Sequence, residues 1–212
     1  PGDLVNEWEE GDRKFFHYKM PIPMINYYSI LSANYEINED IWIDTVTGKE
    51  VKLAIYHQPE HDYNLESFFN SAKKSLEFYS RNLSPFQFDH LKIVEFPRYA
   101  TFAQSFPGMI PFSESIGFVA DLRDIKSGKD TTAVDYPFFF TAHEIAHQWW
   151  AHQVIAADVE GVQMLMESFT HFCAINVLEQ NYGKVVTKRF LRDESLKYIN
   201  SRKGEPYYER PL

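Results

Sequence analysis

The sequence predicts an α+β fold: a β-rich lead-in over residues 1–60, then a mixed part over residues 61–212 that carries the chemistry. Three observations predict it. Short apolar and alternating runs crowd residues 13–57, as strands do. Two nearly charge-free helical stretches follow, 138–154 and 161–178, each holding a single carboxylate, Glu144 and Glu167. The first stretch contains His143-Glu144-Ile145-Ala146-His147, a spacing that makes chemical sense only on a helix, where residues four apart share a face.

Taken in order, residues 27–37 and 41–44 read as strands, and Thr47-Gly48 marks a turn before another at 50–56. Residues 64–82 have the apolar spacing of a helix, through Leu65, Phe68, Phe69, Leu76 and Tyr79, closed by Ser84-Pro85. Residues 91–96 form a strand stopped by Pro97. The Phe-, Gly- and Pro-rich run 100–112 reads as a loop, 115–121 as an edge strand, and 126–130 as a solvated loop. Asp135-Tyr136-Pro137 supplies a helix start, a capping carboxylate followed by proline in the first turn. The helix over 161–178 has Gly183 as its stop. Residues 184–199 are an amphipathic surface helix, and the tail from Ser201 is polar and irregular.

His143 and His147 present two imidazoles to one metal ion, and Glu144 leans toward the same point as a base for a metal-bound water. The competing reading is a core helix with two hydrogen-bonded histidines. A lone carboxylate in so apolar a setting is costly unless it is paired, solvated or close to a metal, and this favours the site. A hydrolytic zinc centre needs a third ligand and one open position. A histidine six residues past His147 is excluded, since Trp150 and Gln153 hold the required glycine and histidine positions and His152 is one residue off. Glu167 is then the third ligand; Glu160 at the helix start and His171, four residues on, are the rivals. The expected cofactor is one Zn2+ per chain.

The formal net charge is −9 with no Lys/Arg cluster, which argues against nucleic acid or an anionic membrane as partner. Aromatic residues make up 17% of the chain, enough for a well-packed interior with apolar clefts. The lone Cys173 excludes an internal disulfide. No apolar run approaches membrane-spanning length and no signal peptide is present. The chain starts Pro-Gly-Asp rather than Met, so it reads as a piece of a longer protein. Its oligomeric state and localisation are left open.

The run His143 to Trp150, with Gln148-Trp149 after the second histidine, resembles the M1 family of zinc aminopeptidases, gluzincins with a thermolysin-like catalytic domain, and is similar above all to the M1-type domains fused to ABC-type permeases. The resemblance implies a zincin fold whose C-terminal helical part is missing, a peptide substrate, and a membrane-embedded parent. It implies His143, His147 and Glu167 as zinc ligands and Glu144 as general base. The family has eighteen residues between the second histidine and the glutamate where this chain has nineteen, a difference expected to be absorbed around 155–159. Glu114 takes the place of the glutamate in the family's amine-binding motif and would hold the substrate's N-terminus. The family's transition-state tyrosine is not matched: Tyr207-Tyr208-Glu209-Arg210 comes too early, so the fragment would bind zinc but hydrolyse poorly. The rival functions are an endopeptidase with eroded N-terminus recognition and a non-catalytic peptide-binding domain of a transporter.

Overall fold

The computed structural model describes residues 1–204. Two strands, β1 (Asp3–Glu10) and β2 (Arg13–Lys19), form an antiparallel hairpin turning at Gly11. A second sheet has the order β3 (Glu36–Ile43), β4 (Glu50–His57), β5 (His90–Phe96), β6 (Met109–Ser113). β3 and β4 are antiparallel, while β4–β5 and β5–β6 are parallel. The boundary expected near residue 60 falls between β4 and the first helix, and β4 pairs with β5 across it.

Parallel neighbours need a crossover, and α1 (Leu65–Asn82) supplies the one between β4 and β5. It buries Phe68, Ala72, Leu76 and Tyr79, the stripe that its spacing predicts. A single turn, α2 (Arg123–Lys126), precedes α3 (Tyr136–Ala146). Asp135 caps α3, accepting from Phe138 N–H at 2.9 Å, with Pro137 in the first turn. A π-helical turn, Met164–Ser168, leads into α4 (Phe169–Ser201), which changes direction at Gly183 (φ 80°, ψ 174°). Glycine adopts that backbone without penalty, so the predicted stop is a kink between two helical segments. A 3-10 turn, Arg202–Gly204, follows.

One core joins the layers. Val51, Leu53, Ile55, Leu91, Ile93 and Ile110 from the sheet meet Phe68, Leu76 and Tyr79 of α1, Phe138, Phe139 and Ile145 of α3, and Ala174, Val177 and Phe190 of α4. The near absence of charge on α3 is thereby explained, because it packs between α1 and α4.

Four local expectations need correction. Of the strand predicted at 27–37, only Glu36 and Ile37 belong to β3; the aromatic residues before them are irregular and lie on other elements, Tyr27 stacking on Phe106 and Tyr35 bonding to Glu95 O. The loop predicted at 100–112 contains β6, and 102–106 runs back along it: Ser113 N–H bonds to Phe102 O, Gln104 N–H to Pro111 O, and Phe106 and Met109 exchange both bonds around the Pro107-Gly108 turn. Conversely, 115–121 is not an edge strand. Its carbonyls turn inward onto one amide, Asn64 Nδ2, which donates to Gly117 O, Phe118 O and Ala120 O. Finally, α3 closes at Ala146 rather than continuing toward 154, with Ala151 at φ 135° in the turn that follows. The Tyr207-Tyr208-Glu209-Arg210 segment lies outside the described residues.

Candidate metal centre

α3 presents His143 on its last full turn, and His147 is the capping residue, still helical at φ −61°, ψ −19°. The four-residue spacing therefore survives the early end of the helix, with His147 N–H bonded back to His143 O. Glu167 comes from the π-turn. There Phe169 N–H reaches back five residues to Met164 O, and the Thr170 hydroxyl donates to Met166 O at 2.5 Å. The turn that carries the ligand thus holds one residue more than an α-turn would, outside the 155–159 connection where the sequence leads one to expect the extra residue.

The three side chains converge. One Glu167 carboxylate oxygen lies 3.4 Å from His143 Nε2 and 3.6 Å from His147 Nε2. Zinc bound tetrahedrally at about 2.0–2.1 Å holds its ligand atoms roughly 3.3–3.4 Å apart, so the donors stand at the edge lengths of such a shell. They fit the ion. His147 Nδ1–H donates to Trp150 O at 3.0 Å, which fixes the tautomer and leaves Nε2 as the donor toward the centre. Glu167 remains half exposed, leaving an open side.

The electrostatics separate the two glutamates. Hydrogen bonding to His143 and His147 holds the Glu167 carboxyl far below the usual carboxylate range. Glu144 is buried, and burial raises its carboxyl; the imidazoles of His143 and His147 oppose that, Glu167 adds to it, and the Ser105 backbone opposes it again. Burial works to lower His147, but Glu167, Glu144 and the Trp150 carbonyl outweigh it and the net direction is upward. One carboxylate is thus kept as an anion facing the imidazoles, and its neighbour is poised to take a proton.

The rivals stand elsewhere. His171 packs between the rings of Phe139 and Phe190, 5.6 Å from the His143 ring centroid, and is absent from the donor group. Glu160 is an exposed residue of the connection. Glu114 belongs to a separate cluster with His61 and the buried Glu95 at the C-terminal ends of β4, β5 and β6. It pairs with Arg98 Nε at 3.1 Å, and its backbone N–H bonds to Phe96 O. His61 Nδ1 hydrogen-bonds to Glu95 directly.

Residues that the sequence reading passed over also line the site. Ser105, Phe106 and Tyr27 lie on the Glu144 side: Tyr27 stacks on Phe106, and its phenol is pushed up by burial and by Glu144. Since 102, 104 and 106 bond to β6, the main-chain groups of 103 and 105 face the other way, as on any sheet edge. The Pro107-Gly108 pair was the available signal for this hairpin. His152 is also near, its ring buried; burial depresses its imidazole to about 4, against an opposing contribution from the Ser105 backbone.

A family model described as the Peptidase family M1 domain matches residues 67–205. A curated relative, probable aminopeptidase 1 of Sulfurisphaera tokodaii, is 28% identical over 127 residues, 59% of this chain and 15% of its own length. The crystal structure of Legionella pneumophila aminopeptidase A in complex with aspartic acid superposes with a TM-score of 0.70 at 18% identity, over 86% of this chain and 21% of that one. An M1 zinc metallopeptidase from Deinococcus radiodurans gives 0.62 at 14% identity, over 99% of this chain and 42% of that one. The chain therefore spans less than half the length of each.

Proposed function

The chain belongs to peptidase family M1, and on that premise we propose that it is the metal-binding part of a zinc-dependent peptidase that removes residues from peptide N-termini. The observation that carries this reading is the convergence of His143, His147 and Glu167 at 3.4 and 3.6 Å beside a buried carboxylate that serves none of the three. Held by that trio, zinc would supply Lewis-acid stabilisation of negative charge on oxygen. Glu144 is the proton carrier. Raised by burial, it takes a proton from the attacking water and returns it to the leaving amine. The main-chain groups of Ala103, turned away from β6, hold a peptide laid antiparallel along the edge, while the Ser105 backbone is engaged with Glu144. Trp150 O fixes the His147 ring through Nδ1. On the wording of residues 143–150, the parent protein is a membrane permease carrying this domain outside the bilayer. Among the described residues no helix is long and apolar enough to cross a membrane, so fractionation of the full-length protein is the check on that point.

The test is zinc per chain by elemental mass spectrometry, for the wild type and Glu167→Ala, paired with cleavage of one peptide in free and N-acetylated forms by the full-length protein. About one zinc, lost in the variant, with cleavage only of the free peptide, is the expected result. A second reading, an endopeptidase with the same centre, is favoured by one observation: Glu114, the candidate amine anchor, faces Arg98 and stands apart from the metal donors. Cleavage of both peptides would select it. Zinc binding with neither peptide cleaved would reject both in favour of a peptide-binding module.

A further inference from the structure

Gln148 follows the second histidine directly, on the turn that ends α3, yet its side chain is wholly buried. A buried primary amide needs partners for an acceptor and two donor hydrogens, and every partner of this one lies on a single turn. Gln148 Oε1 accepts from Gly108 N–H at 2.9 Å. Its Nε2 donates to Ser105 Oγ at 2.6 Å and to Phe106 O at 3.0 Å. The Gln148 main chain is itself held, its carbonyl accepting from Gln87 Nε2 at 3.2 Å.

The gripped segment has little freedom of its own. Gly108 has φ +67°, and a Cβ there would stand 2.9 Å from His90 Nε2, so the Pro107-Gly108 turn is backed by His90 and gripped in front by Gln148. Phe106 carries Tyr27 on its ring at a centroid distance of 4.4 Å. The Ser105 backbone reaches Glu144 and lowers the carboxyl that burial raises. One amide therefore stands between the metal-bearing helix end and the strand edge that faces the site.

We propose that Gln148 is a positioning residue that sets the edge at 103–105 against Glu144, so that a peptide bound to the edge stays in register with the proton carrier. This inference rests on the peptidase reading above. Gln148 touches neither substrate nor reacting atoms; it acts through Ser105, Phe106 and Gly108. If it were only a filler of the core, its loss would loosen the fold generally.

The experiment compares Gln148→Met, which keeps length and apolar bulk but no hydrogen bonds, with Gln148→Glu, which keeps the acceptor for Gly108 and loses both donors. Each is made in the full-length protein. The measurements are zinc content, hydrogen exchange resolved over 103–109, and kcat and KM on one peptide. For Gln148→Met the expected result is unchanged zinc, exchange at 105–108 faster by about tenfold, unchanged exchange in β5 and α1, and kcat/KM lower by about tenfold, carried mainly by KM. Gln148→Glu should free Ser105 and Phe106 while the Gly108 amide stays protected. Unchanged exchange over 103–109, or acceleration spread equally through β5 and α1, overturns the proposal. Should the wild type cleave no peptide, the peptidase reading falls, and the exchange pattern by itself decides whether Gln148 holds the edge.

Discussion

The Tyr182 hydroxyl donates to Asp135 Oδ2 at 2.8 Å, tying the first turn of α3 to the last residue of α4 before its kink. The same carboxylate caps α3 through Phe138 N–H and accepts from Ser67 Oγ of α1 at 2.8 Å. Burial, reinforced by Asp135, pushes the Tyr182 phenol far up, so it remains a donor at any working pH. Three helices thus share one buried acid. Replacing Asp135 with Ala removes a cap and strands two hydroxyls, at a cost of about 2–4 kcal/mol, whereas Tyr182→Phe costs about 1 kcal/mol. Urea unfolding midpoints of the two variants give the comparison; equal midpoints would separate Asp135 from this role.

Glu144→Gln should retain about one zinc per chain, because Glu144 lies outside the donor trio, while peptide turnover by the full-length protein falls by roughly 100- to 10,000-fold. Zinc analysis and single-peptide kinetics on the same preparation check it, and turnover within a few-fold of the wild type would remove Glu144 as proton carrier.

Chelation should destabilise the fold. Glu167 sits on a π-turn and His147 at a helix end, and an ion that binds only the folded arrangement couples those two ends. At zinc a thousandfold above its dissociation constant, the coupling is worth about 4 kcal/mol. Thermal melts with and without chelator should differ for the wild type and coincide for Glu167→Ala.

His152 makes the metal-free protein acid-sensitive. Burial depresses its imidazole from 6.5 to about 4, so between those pH values the unfolded chain binds a proton that the folded chain refuses. The contribution is intact above 6.5 and is lost as pH falls through 4, at most ~3 kcal/mol. Chelator-treated His152→Gln should therefore lose less stability than the wild type between pH 7 and 4. Glu144, whose raised carboxyl has the opposite sign, is common to both proteins and cancels. Parallel stability curves would refute the assignment.

Gly108→Ala should cost about 2 kcal/mol or more, from the left-handed backbone at φ +67° and the contact with His90. Gly48, at φ +73° with open space around its Cβ position, is the control: its alanine variant should bear the backbone penalty alone.

Much of this was legible in the sequence. The apolar stripe of α1, the Asp135 cap, the Gly183 break and the shared face of His143 and His147 all follow from local spacing. What escaped was decided by partners distant in the chain. Apolar residues at 115–121 read as a strand because nothing local reveals that Asn64, more than fifty residues earlier, gathers three of their carbonyls. The aromatic run at 27–35 read as a strand for the same reason; its rings are spent on Phe106 and Tyr56. The place of Glu114 in a motif is local, whereas its pairing with Arg98, sixteen residues earlier, depends on how the ends of β5 and β6 come together. Glu167 was recognisable by its isolation in an apolar helix; the widened turn beneath it was not.

That widened turn has a consequence for how the site tolerates a change of chain length. Nineteen residues separate His147 from Glu167, and a five-residue hydrogen-bond loop lets the helix take up an inserted residue while the carboxylate keeps its bearing on the two imidazoles. Deleting one residue from the same turn would restore ordinary helical geometry with the carboxylate still aimed. Zinc content near one per chain in such a deletion variant is the expected result, and its loss would show that the widened turn is what aims Glu167.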